Sequence, residues 1–396
     1  MKALRARDAR FIASGALMLA VAMGVGRFAY TPLLPVMEHD AGLSVSAAGS
    51  LASANLLGYL VGASLAMHPI THRKRLAILR WCVLGVAVTT ALMAGVPTLW
   101  LPLRFVTGIC SGFALVFTSS VVLERAAHAR QPSWPPLLFS GVGLGIVFSG
   151  VAVPALVAYG GSRAAWAGMG VICAVALAVT GRWFTDEGAP ASVAEHEMNA
   201  ALPHHRTTFA WLSAVYAAEA FAYVIPATFL VAVIAQTPEL SRYAALSWIF
   251  VGLAAALATF PWIAAGARLG KARALTVAFG IQAVGIAAPV FSRSAFAVIF
   301  SALALGGTFM AITLFAAGIG RDIFPRKTSA AMSRLTVLYS IGQIVGPLVA
   351  TQLALRNNSY SLALLAAAGV AGLAAIVTLT AIREPLAHIA FAEMPR

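Results

Sequence analysis

Residues 24–35 read GVGRFAYTPLLP, an apolar stretch that contains an arginine, a tyrosine and two prolines. Part of this signature returns at residues 219–226 as EAFAYVIP, so the tripeptide FAY occurs at 28–30 and again at 221–223. The two copies lie 193 residues apart, which is close to half of the 396-residue chain. Because recurrence at half the chain length is typical of internal duplication, we predict two homologous halves.

The composition indicates a membrane protein. Hydrophobic residues make up 60% of the chain, charged residues make up 10%, and the mean hydropathy is +0.87, which is too apolar for a soluble globular protein. The apolar residues come in runs of about 20, the length that a helix needs to cross a bilayer, and not in the ten-residue alternating segments of membrane β-barrels. The sequence therefore predicts an all-α integral membrane protein.

We predict twelve transmembrane helices, six in each half. Their approximate ranges are 11–35, 44–67, 76–95, 98–123, 136–158, 163–183, 208–234, 243–266, 273–291, 294–320, 328–354 and 359–382. The predicted domains are a first bundle at 1–184, a cytoplasmic linker at 185–207 and a second bundle at 208–396. The linker holds His204 and His205, which have no third metal ligand nearby, so no metal site is expected there.

The distribution of basic residues predicts the orientation. Of the 27 Lys and Arg residues, 21 fall on one side of this arrangement, four fall on the other, and two lie inside helices. The positive-inside rule then places both termini in the cytoplasm, as expected for a protein of the cytoplasmic membrane. It also accounts for the net charge of +14 without a nucleic-acid partner, because no basic domain stands apart from the helices.

Small residues four apart occur in several predicted helices. The pairs are Gly58 with Gly62, Gly108 with Gly112, Gly141 with Gly145, and Gly342 with Gly346. Such spacing lets two helix backbones approach closely, so these glycines predict helix–helix contacts. Pro32, Pro226 and Pro347 interrupt helical hydrogen bonding, and together with Gly346 they are candidate hinge positions.

Several motifs resemble those of the major facilitator superfamily. The loop AGARLGKAR at 265–273 resembles the superfamily's loop motif, with Arg268, Gly270 and Arg273 in place, although alanine stands at the acidic position. The equivalent loop at 67–75, MHPITHRKR, keeps the basic cluster but lacks the glycine and the aspartate. The resemblance of the loop at 265–273 implies that Arg268, Gly270 and Arg273 take part in gating. Resemblance to the superfamily also implies alternating access by rocking of the two halves.

Two further elements extend the resemblance over nearly the whole chain. In the fourth helix, Arg104 is followed by Gly108 and Gly112, which resembles the R-x-x-x-G element, and GQIVGP at 342–347 resembles a glycine–proline hinge. The combination of GRFAYTPLLP, YVIPATFL and GQIVGP is similar to the bacterial subfamily labelled YbfB/YjiJ. In the superfamily, helices 1, 4, 7 and 10 line the central cavity.

Three ionisable residues lie inside predicted helices: Arg27, Arg104 and Glu219. Each would cost a few kcal/mol or more against lipid, so each is expected to face the bundle interior or a water-filled cavity. Helical spacing puts Tyr30 on the face of Arg27, and Tyr216 and Tyr223 on the face of Glu219.

Our site hypothesis gives these residues separate roles. Arg27 binds the substrate together with Tyr30, Tyr223, Gln343 and Arg104, all of which lie in candidate cavity helices or in the glycine–proline element. Glu219 exchanges a proton, because desolvation disfavours an ionised carboxylate. Two alternatives stay open: an ion pair between Arg27 and Glu219 that bridges the halves, and a purely structural role for Arg104.

The sequence thus predicts a secondary active transporter of a small anionic or zwitterionic solute, coupled to protons and monomeric. Proton-driven efflux of cationic or amphipathic drugs is one alternative, and a non-transporting sensor or scaffold is another. An enzyme is not expected, because all eight histidines fall in loops or at helix ends and a single acid is central. No phosphate-binding loop of the G-x-x-x-x-G-K-[ST] type occurs in the sequence, and no cofactor or metal is predicted.

Overall fold

The computed structural model describes residues 6–68, 70–71, 74–131, 133–180, 183–184, 203–324 and 328–382. All regular elements in these ranges are helical, as the apolar runs predicted. Eleven helical segments among the described residues are long and apolar enough to cross a membrane. Most of the predicted linker, residues 185–202, lies outside the described residues, and so do the side chains of His204 and His205.

The first half contains α1 to α6. Their bounds are α1 Ala6–Leu19, a π-helical segment Ala20–Val25, α2 Tyr30–Ala41, α3 Val45–Ala66, α4 Arg75–Leu92, a 3-10 turn Pro97–Leu99, α5 Trp100–His128 and α6 Trp134–Thr180. The second half contains α7 to α12. Their bounds are α7 Pro203–Ala235, a 3-10 turn Ser241–Tyr243, α8 Ala244–Leu269, α9 Lys271–Phe291, α10 Ala295–Ile323, α11 Thr328–Asn357 and α12 Ser361–Ala381.

The helix predicted at 11–35 is not regular. After α1 the backbone forms a π-helical turn, in which Phe28 N donates to Met23 O over 3.0 Å, and α2 begins only at Tyr30. Proline explains part of this change, because Pro32 has no N–H to donate to the carbonyl four residues earlier. That carbonyl, Phe28 O, instead accepts from Thr31 N at 3.2 Å.

Helix α6 is 47 residues long, or about 70 Å at 1.5 Å per residue, which is more than twice the thickness of the bilayer core. Its backbone leaves the helical region at Gly160 and Gly161, between the predicted helices 136–158 and 163–183. Gly161 has a φ of 64°, which favours glycine. Asp40 at the end of α2 caps the next turn, because its Oδ2 accepts from Ser162 N at 2.8 Å.

The glycine pairs lie at close helix crossings, as their spacing predicted. In the crossing of α3 and α5, a Cβ on Gly58 would lie 2.0 Å from Phe105 O, and a Cβ on Gly108 would lie 2.0 Å from Asn55 O. These contacts leave no room for any larger residue. They hold α3 and α5 tightly together, and both helices carry side chains that contact the irregular segment of the first helix.

Candidate functional site

The irregular segment at residues 20–29 is held by side chains from α3 and α5. Ser111 Oγ donates to Ala22 O at 2.7 Å, and Arg104 Nη1 donates to Gly26 O at 2.9 Å. Asn55 Nδ2 donates to Arg104 O at 3.0 Å. Carbonyl groups that a regular α-helix would satisfy internally are thus bonded by neighbouring helices, which supports the departure of this segment from α-helical geometry inside the protein.

Arg27 projects from this segment into the interior and is only 8% exposed. Its Nη2 donates to the hydroxyl of Tyr223 on α7, and Gln343 Nε2 on α11 donates to the same hydroxyl. Its guanidinium carbon lies 5.1, 5.5 and 6.0 Å from the ring centroids of Phe28, Tyr59 and Tyr223. Within the described residues, no carboxylate forms an ion pair with Arg27.

Arg104 is even more buried, at 3% exposure. Its guanidinium lies 4.8 Å from the Tyr30 ring centroid, and its Nε has no hydrogen-bond partner. The Tyr30 hydroxyl donates to Ala48 O at 2.9 Å. The structure therefore packs Tyr30 under Arg104, whereas helical spacing predicted a shared face with Arg27, because residues 26–29 do not follow a regular α-helix.

A small cavity of about 20 Å³, enough for about one water molecule, lies beside both arginines. Its lining comes from the first helix, α3, α5 and α7, and includes Arg27, Tyr30, Thr31, Asn55, Arg104 and Thr228. Two cations and no acidic side chain line it, so the cavity is electropositive. Such a site can bind an anion through charge-assisted hydrogen bonds.

Four aromatic rings stack beside Arg27. Tyr216 lies 4.3 Å from Tyr339, Tyr339 lies 5.9 Å from Tyr223, and Tyr223 lies 5.5 Å from Phe309, all measured between ring centroids. The interplanar angles are 28°, 19° and 5°, so the rings are nearly parallel. We call these four residues the ring column.

Glu219 lies on α7 between Tyr216 and Tyr223 and is fully buried. Its Oε1 accepts from Gln282 Nε2 at 3.0 Å, but its Oε2 and the Oε1 of Gln282 have no partner. Arg27 and Glu219 do not form an ion pair, since each is bonded to a different neutral side chain. A carboxyl group with one free oxygen and no nearby cation partner can hold a proton.

The candidate hinge residues lie in or beside α7 and α11. Both helices continue through their prolines, Pro226 and Pro347, while Pro32 lies in the first turn of α2. Gly346 packs against α7, where a Cβ would lie 2.4 Å from Val224 Cγ1. Pro226, Gly346 and Pro347 therefore lie in the two helices that carry Tyr223 and Gln343.

The loop that resembles the superfamily motif joins α8 to α9. Gly270 has a φ of 85°, a backbone conformation that favours glycine, while Arg268 and Arg273 are exposed. Lys271, which follows Gly270, forms an ion pair with Asp322 at the end of α10. An acidic partner for this loop thus comes from α10, although the motif itself carries Ala267 at its acidic position.

Sequence reasoning missed Tyr59 and Tyr339, both of which belong to the surroundings of Arg27 and Tyr223. A signal for Tyr339 was available, because it lies four residues before Gln343 and so on the same helical face. Tyr59 had no comparable signal. Its approach to Arg27 depends on how α3 crosses the first helix.

The chain is similar in fold to several solved transporters. It matches the crystal structure of a mutant of the nucleoside transporter NupG with a TM-score of 0.74 and 13% identity, covering 94% of this chain and 100% of that one. It matches a bacterial homologue of the human lysosomal transporter Spinster in an inward-facing, unoccupied conformation with a TM-score of 0.71 and 14% identity, covering 96% and 98%. At these identities the likeness shows the fold alone.

The occupied, inward-facing structure of the same Spinster homologue gives a TM-score of 0.70 at 14% identity, covering 97% of this chain and 98% of that one. No curated protein matches the sequence at a significant level. The family described as "Uncharacterised MFS-type transporter YbfB" matches residues 19–379, which is most of the chain. The chain therefore belongs to the YbfB-type family of the major facilitator superfamily and is a membrane transporter, not an enzyme.

Proposed function

We propose that this protein is a proton-coupled secondary transporter that moves a small organic anion, or a zwitterion presenting a carboxylate, by alternating access. The observation that carries the proposal is the burial of Arg27 without a carboxylate partner among the described residues. A lone buried charge is unfavourable unless a ligand compensates it, so such a residue marks a binding site.

The neighbours of Arg27 support an anion. Tyr223 and Gln343 form a polar group beside the guanidinium, and neither carries a charge that would compete for it. Arg104 lines the same cavity and adds a second positive charge, while one of its donors is already used by Gly26 O. The electrostatic balance of the cavity therefore favours an anionic substrate over a cationic drug.

Glu219 is the proposed proton carrier. It lies on α7 one turn before Tyr223, so movement of this helix would affect both the carboxyl group and the substrate site. Its free Oε2 and its single amide partner suit a group that alternates between a protonated, buried form and an ionised, solvated form. Proton and substrate movements would be coupled if Glu219 ionises when the cavity opens to water.

The proposed topology has twelve spans in two six-helix bundles, at 1–184 and 208–396, joined by a cytoplasmic linker at 185–207. The length of α6 and its two non-helical glycines support counting it as two spans. The eleven helical segments then give twelve transmembrane spans. The excess of Lys and Arg on one side supports cytoplasmic termini in the bacterial inner membrane. We propose a monomer, because this arrangement needs no second chain to complete the cavity.

Contacts between the first helix and α7 support closure on the non-cytoplasmic side. Thr31 Oγ1 donates to Ala227 O, and Gln236 Nε2 donates to Glu38 Oε2 at 3.2 Å, both at the ends where α2 and α7 leave the cavity. Alternating access would break these contacts and form others near the opposite ends.

The test is uptake by purified protein in proteoliposomes with an imposed pH gradient, using a panel of radiolabelled carboxylates. Wild-type protein is expected to accumulate at least one of them, Arg27→Gln to accumulate none, and Glu219→Gln to exchange substrate without responding to the gradient. Matched controls are Arg242→Gln and Glu239→Gln, which remove exposed charges of the same types.

The outcomes separate the candidate functions. Full pH-gradient dependence in Glu219→Gln would show that the proton is carried elsewhere. Accumulation of cationic compounds that is lost in Glu219→Gln and kept in Arg27→Gln would establish drug efflux instead. Failure of every solute in a broad panel to cross, with folded protein, would favour a sensor or scaffold.

A further inference from the structure

We infer that Arg27 and Arg104 together bind one small inorganic anion, of the size and charge of chloride, in the cavity beside both guanidinium groups. This anion is distinct from the proposed organic substrate, because it binds while the cavity is too small for one. Two independent features support it. The cavity is lined by two buried cations without acidic partners, and an N–H of Arg104 in its wall has no hydrogen-bond partner.

The positive charges beside the cavity are uncompensated. Arg27 and Arg104 are 8% and 3% exposed. Within the described ranges, neither guanidinium forms an ion pair, and no acidic side chain lines the cavity. A guanidinium keeps its charge in proteins, so two of them beside one cavity repel each other and have lost most of their water. An anion in the cavity reduces both penalties, which a neutral ligand does not.

The hydrogen bonds of the lining leave free donors on the arginines and not on the neutral polar residues. Backbone oxygens accept from all three hydroxyl groups of the lining, those of Tyr30, Thr31 and Thr228. The amide of Asn55 donates to Arg104 O at 3.0 Å. Each guanidinium has N–H donors on three nitrogens, of which Nη2 of Arg27 and Nη1 of Arg104 have partners among the described residues. The available donors are therefore those of cations, which prefer an anionic acceptor.

The size of the cavity limits the anion to a single atom. The volume of about 20 Å³ holds about one water molecule. A monatomic anion is only slightly larger than water, whereas carboxylates, sulfate and phosphate carry several oxygens around a central atom. Water fills the same space but supplies no charge, so it leaves both arginines uncompensated. Chloride, the common monatomic anion of biological solutions, is the ligand that meets both requirements.

Both halves of the chain complete this cavity. Helix α7 contributes Val224, Ala227 and Thr228, and the remaining lining residues belong to the first half. Thr31 Oγ1 of the first half donates to Ala227 O at this contact. Because separation of α7 from the first helix would open the cavity to water, a bound anion stabilises the arrangement in which the two touch.

The competing explanation is that a water molecule fills the cavity. The experiment therefore measures binding of radiolabelled chloride to the purified full-length protein by equilibrium dialysis. Sodium methanesulfonate is the background salt, because its anion has the same charge but is too large for the cavity. Unlabelled bromide, a monatomic anion of the same charge, is the competitor.

We expect wild-type protein to bind one chloride per chain and bromide to displace it. Arg27→Met and Arg104→Met should each weaken chloride binding by at least about tenfold, because each removes one of the two buried positive charges. Arg242→Met, which removes an exposed arginine, is the matched control and should bind chloride as the wild type does.

Melting temperatures in methanesulfonate check the folding of each variant without chloride in the cavity. In the wild type, chloride at ten times its dissociation constant should raise the melting temperature by about 2 °C or more. Arg27→Met should lose this rise and Arg242→Met should keep it. If Arg104→Met does not fold, Arg27→Met alone decides.

Absence of chloride binding to folded wild-type protein would overturn the inference, and so would binding of equal affinity in the wild type and Arg27→Met. The proposed function would stand in either case, because carboxylate uptake is measured separately. Conversely, failure of every carboxylate in the transport panel would leave chloride binding unaffected.

Discussion

The segment at residues 20–30 and helix α7 carry the same FAY tripeptide, but only α7 keeps a helical backbone through it. The first copy passes through a π-helical turn and an irregular stretch before α2 begins at Tyr30. The second copy lies within one continuous helix, Pro203–Ala235, despite Pro226. The cation, Arg27, lies in the irregular copy, and the acid, Glu219, lies in the regular one.

The difference originates in the helices that pack on each copy. Gly108 lies against Asn55 O in the crossing of α3 and α5, and Gly306 lies against Val251 O in the crossing of α8 and α10. Treating these two glycine contacts as equivalent pairs Asn55 with Val251, 196 residues later. The offset of 198 residues from Gly108 to Gly306 then pairs Arg104 with Ala302 and Ser111 with Phe309.

Arg104 and Ser111, which bond carbonyl groups of the first helix, and Asn55, which bonds Arg104 O, thus correspond to apolar residues in the second half. Helix α7 meets no side-chain donors at the matched positions, so its carbonyl groups keep their helical partners. We therefore expect the irregular backbone of the first helix to depend on donors supplied by other helices, and not on its own sequence alone.

The largest effect is expected from Gly108→Ala. The new Cβ would lie 2.0 Å from Asn55 O, so α3 and α5 must separate, and both Asn55 and Arg104 then lose their positions against the first helix. We expect little folded protein, measured by size-exclusion chromatography and melting temperature in detergent. Gly280→Ala is the control, because no atom lies within 4 Å of its added Cβ.

Gly306→Ala is the corresponding substitution at the crossing of α8 and α10. Its Cβ would lie 2.1 Å from Val251 O, so the steric clash is as severe as at Gly108, but the donor at this crossing, Trp262 Nε1, bonds Gly307 O of α10 and no carbonyl of α7. We expect a lower melting temperature with more folded protein than Gly108→Ala yields. Equal losses in the two variants would mean that the donors contribute nothing beyond close packing.

Arg104→Met is expected to destabilise the protein by about 1–3 kcal/mol, because Gly26 O loses its 2.9 Å donor and is left buried. Asn55 Nδ2 remains near Gly26 O but at 3.5 Å, which is too long to compensate. The melting temperature and chemical denaturation in detergent measure the change. An unchanged stability would show that the irregular segment does not need this arginine.

Arg27→Met is expected to stabilise the protein, in contrast to Arg104→Met. Arg27 bonds no backbone carbonyl among the described residues, and its removal eliminates a buried charge without an acidic partner, so stability should rise by about 1 kcal/mol or more. Carboxylate binding should disappear in the same variant. A fall in stability similar to that of Arg104→Met would assign Arg27 a structural role and remove the contrast between the two arginines.

Sequence reasoning succeeded where the helices are regular. The apolar runs predicted the helical membrane fold, and the glycine spacing predicted the crossing of α3 and α5, because both depend on a constant rise and turn per residue. The rarity of charge inside membrane helices singled out Arg27, Arg104 and Glu219, and all three side chains are buried in the structure. Their proposed roles remain predictions.

Sequence reasoning failed where tertiary contacts override helical periodicity. Tyr30 was expected beside Arg27 but packs under Arg104, because the segment between them is held by donors from α3 and α5. The approach of Tyr59 to Arg27 depends on how α3 packs against the first helix, which no local pattern encodes. An alternative ion pair between Arg27 and Glu219 was also plausible from sequence, but the two side chains bond Tyr223 and Gln282 instead.

The smallest effect is expected from Ser111→Ala. Its hydroxyl lies 2.7 Å from Ala22 O, a carbonyl in the π-helical segment, and 2.8 Å from Thr107 O of its own helix, so its removal should cost about 0.5–1.5 kcal/mol. Thr308→Ala on α10 is the matched control, because the Thr308 hydroxyl donates to Ala304 O of its own helix and touches no carbonyl of α7.

Melting temperatures of the two variants in the same detergent give the comparison directly. Ser111→Ala should be the less stable one, because the first helix loses a donor that Thr308→Ala leaves in place. If the two variants behaved alike, the irregular backbone of the first helix would be a property of residues 20–32 themselves. The first half would then differ from the second through its own sequence and not through the helices packed against it.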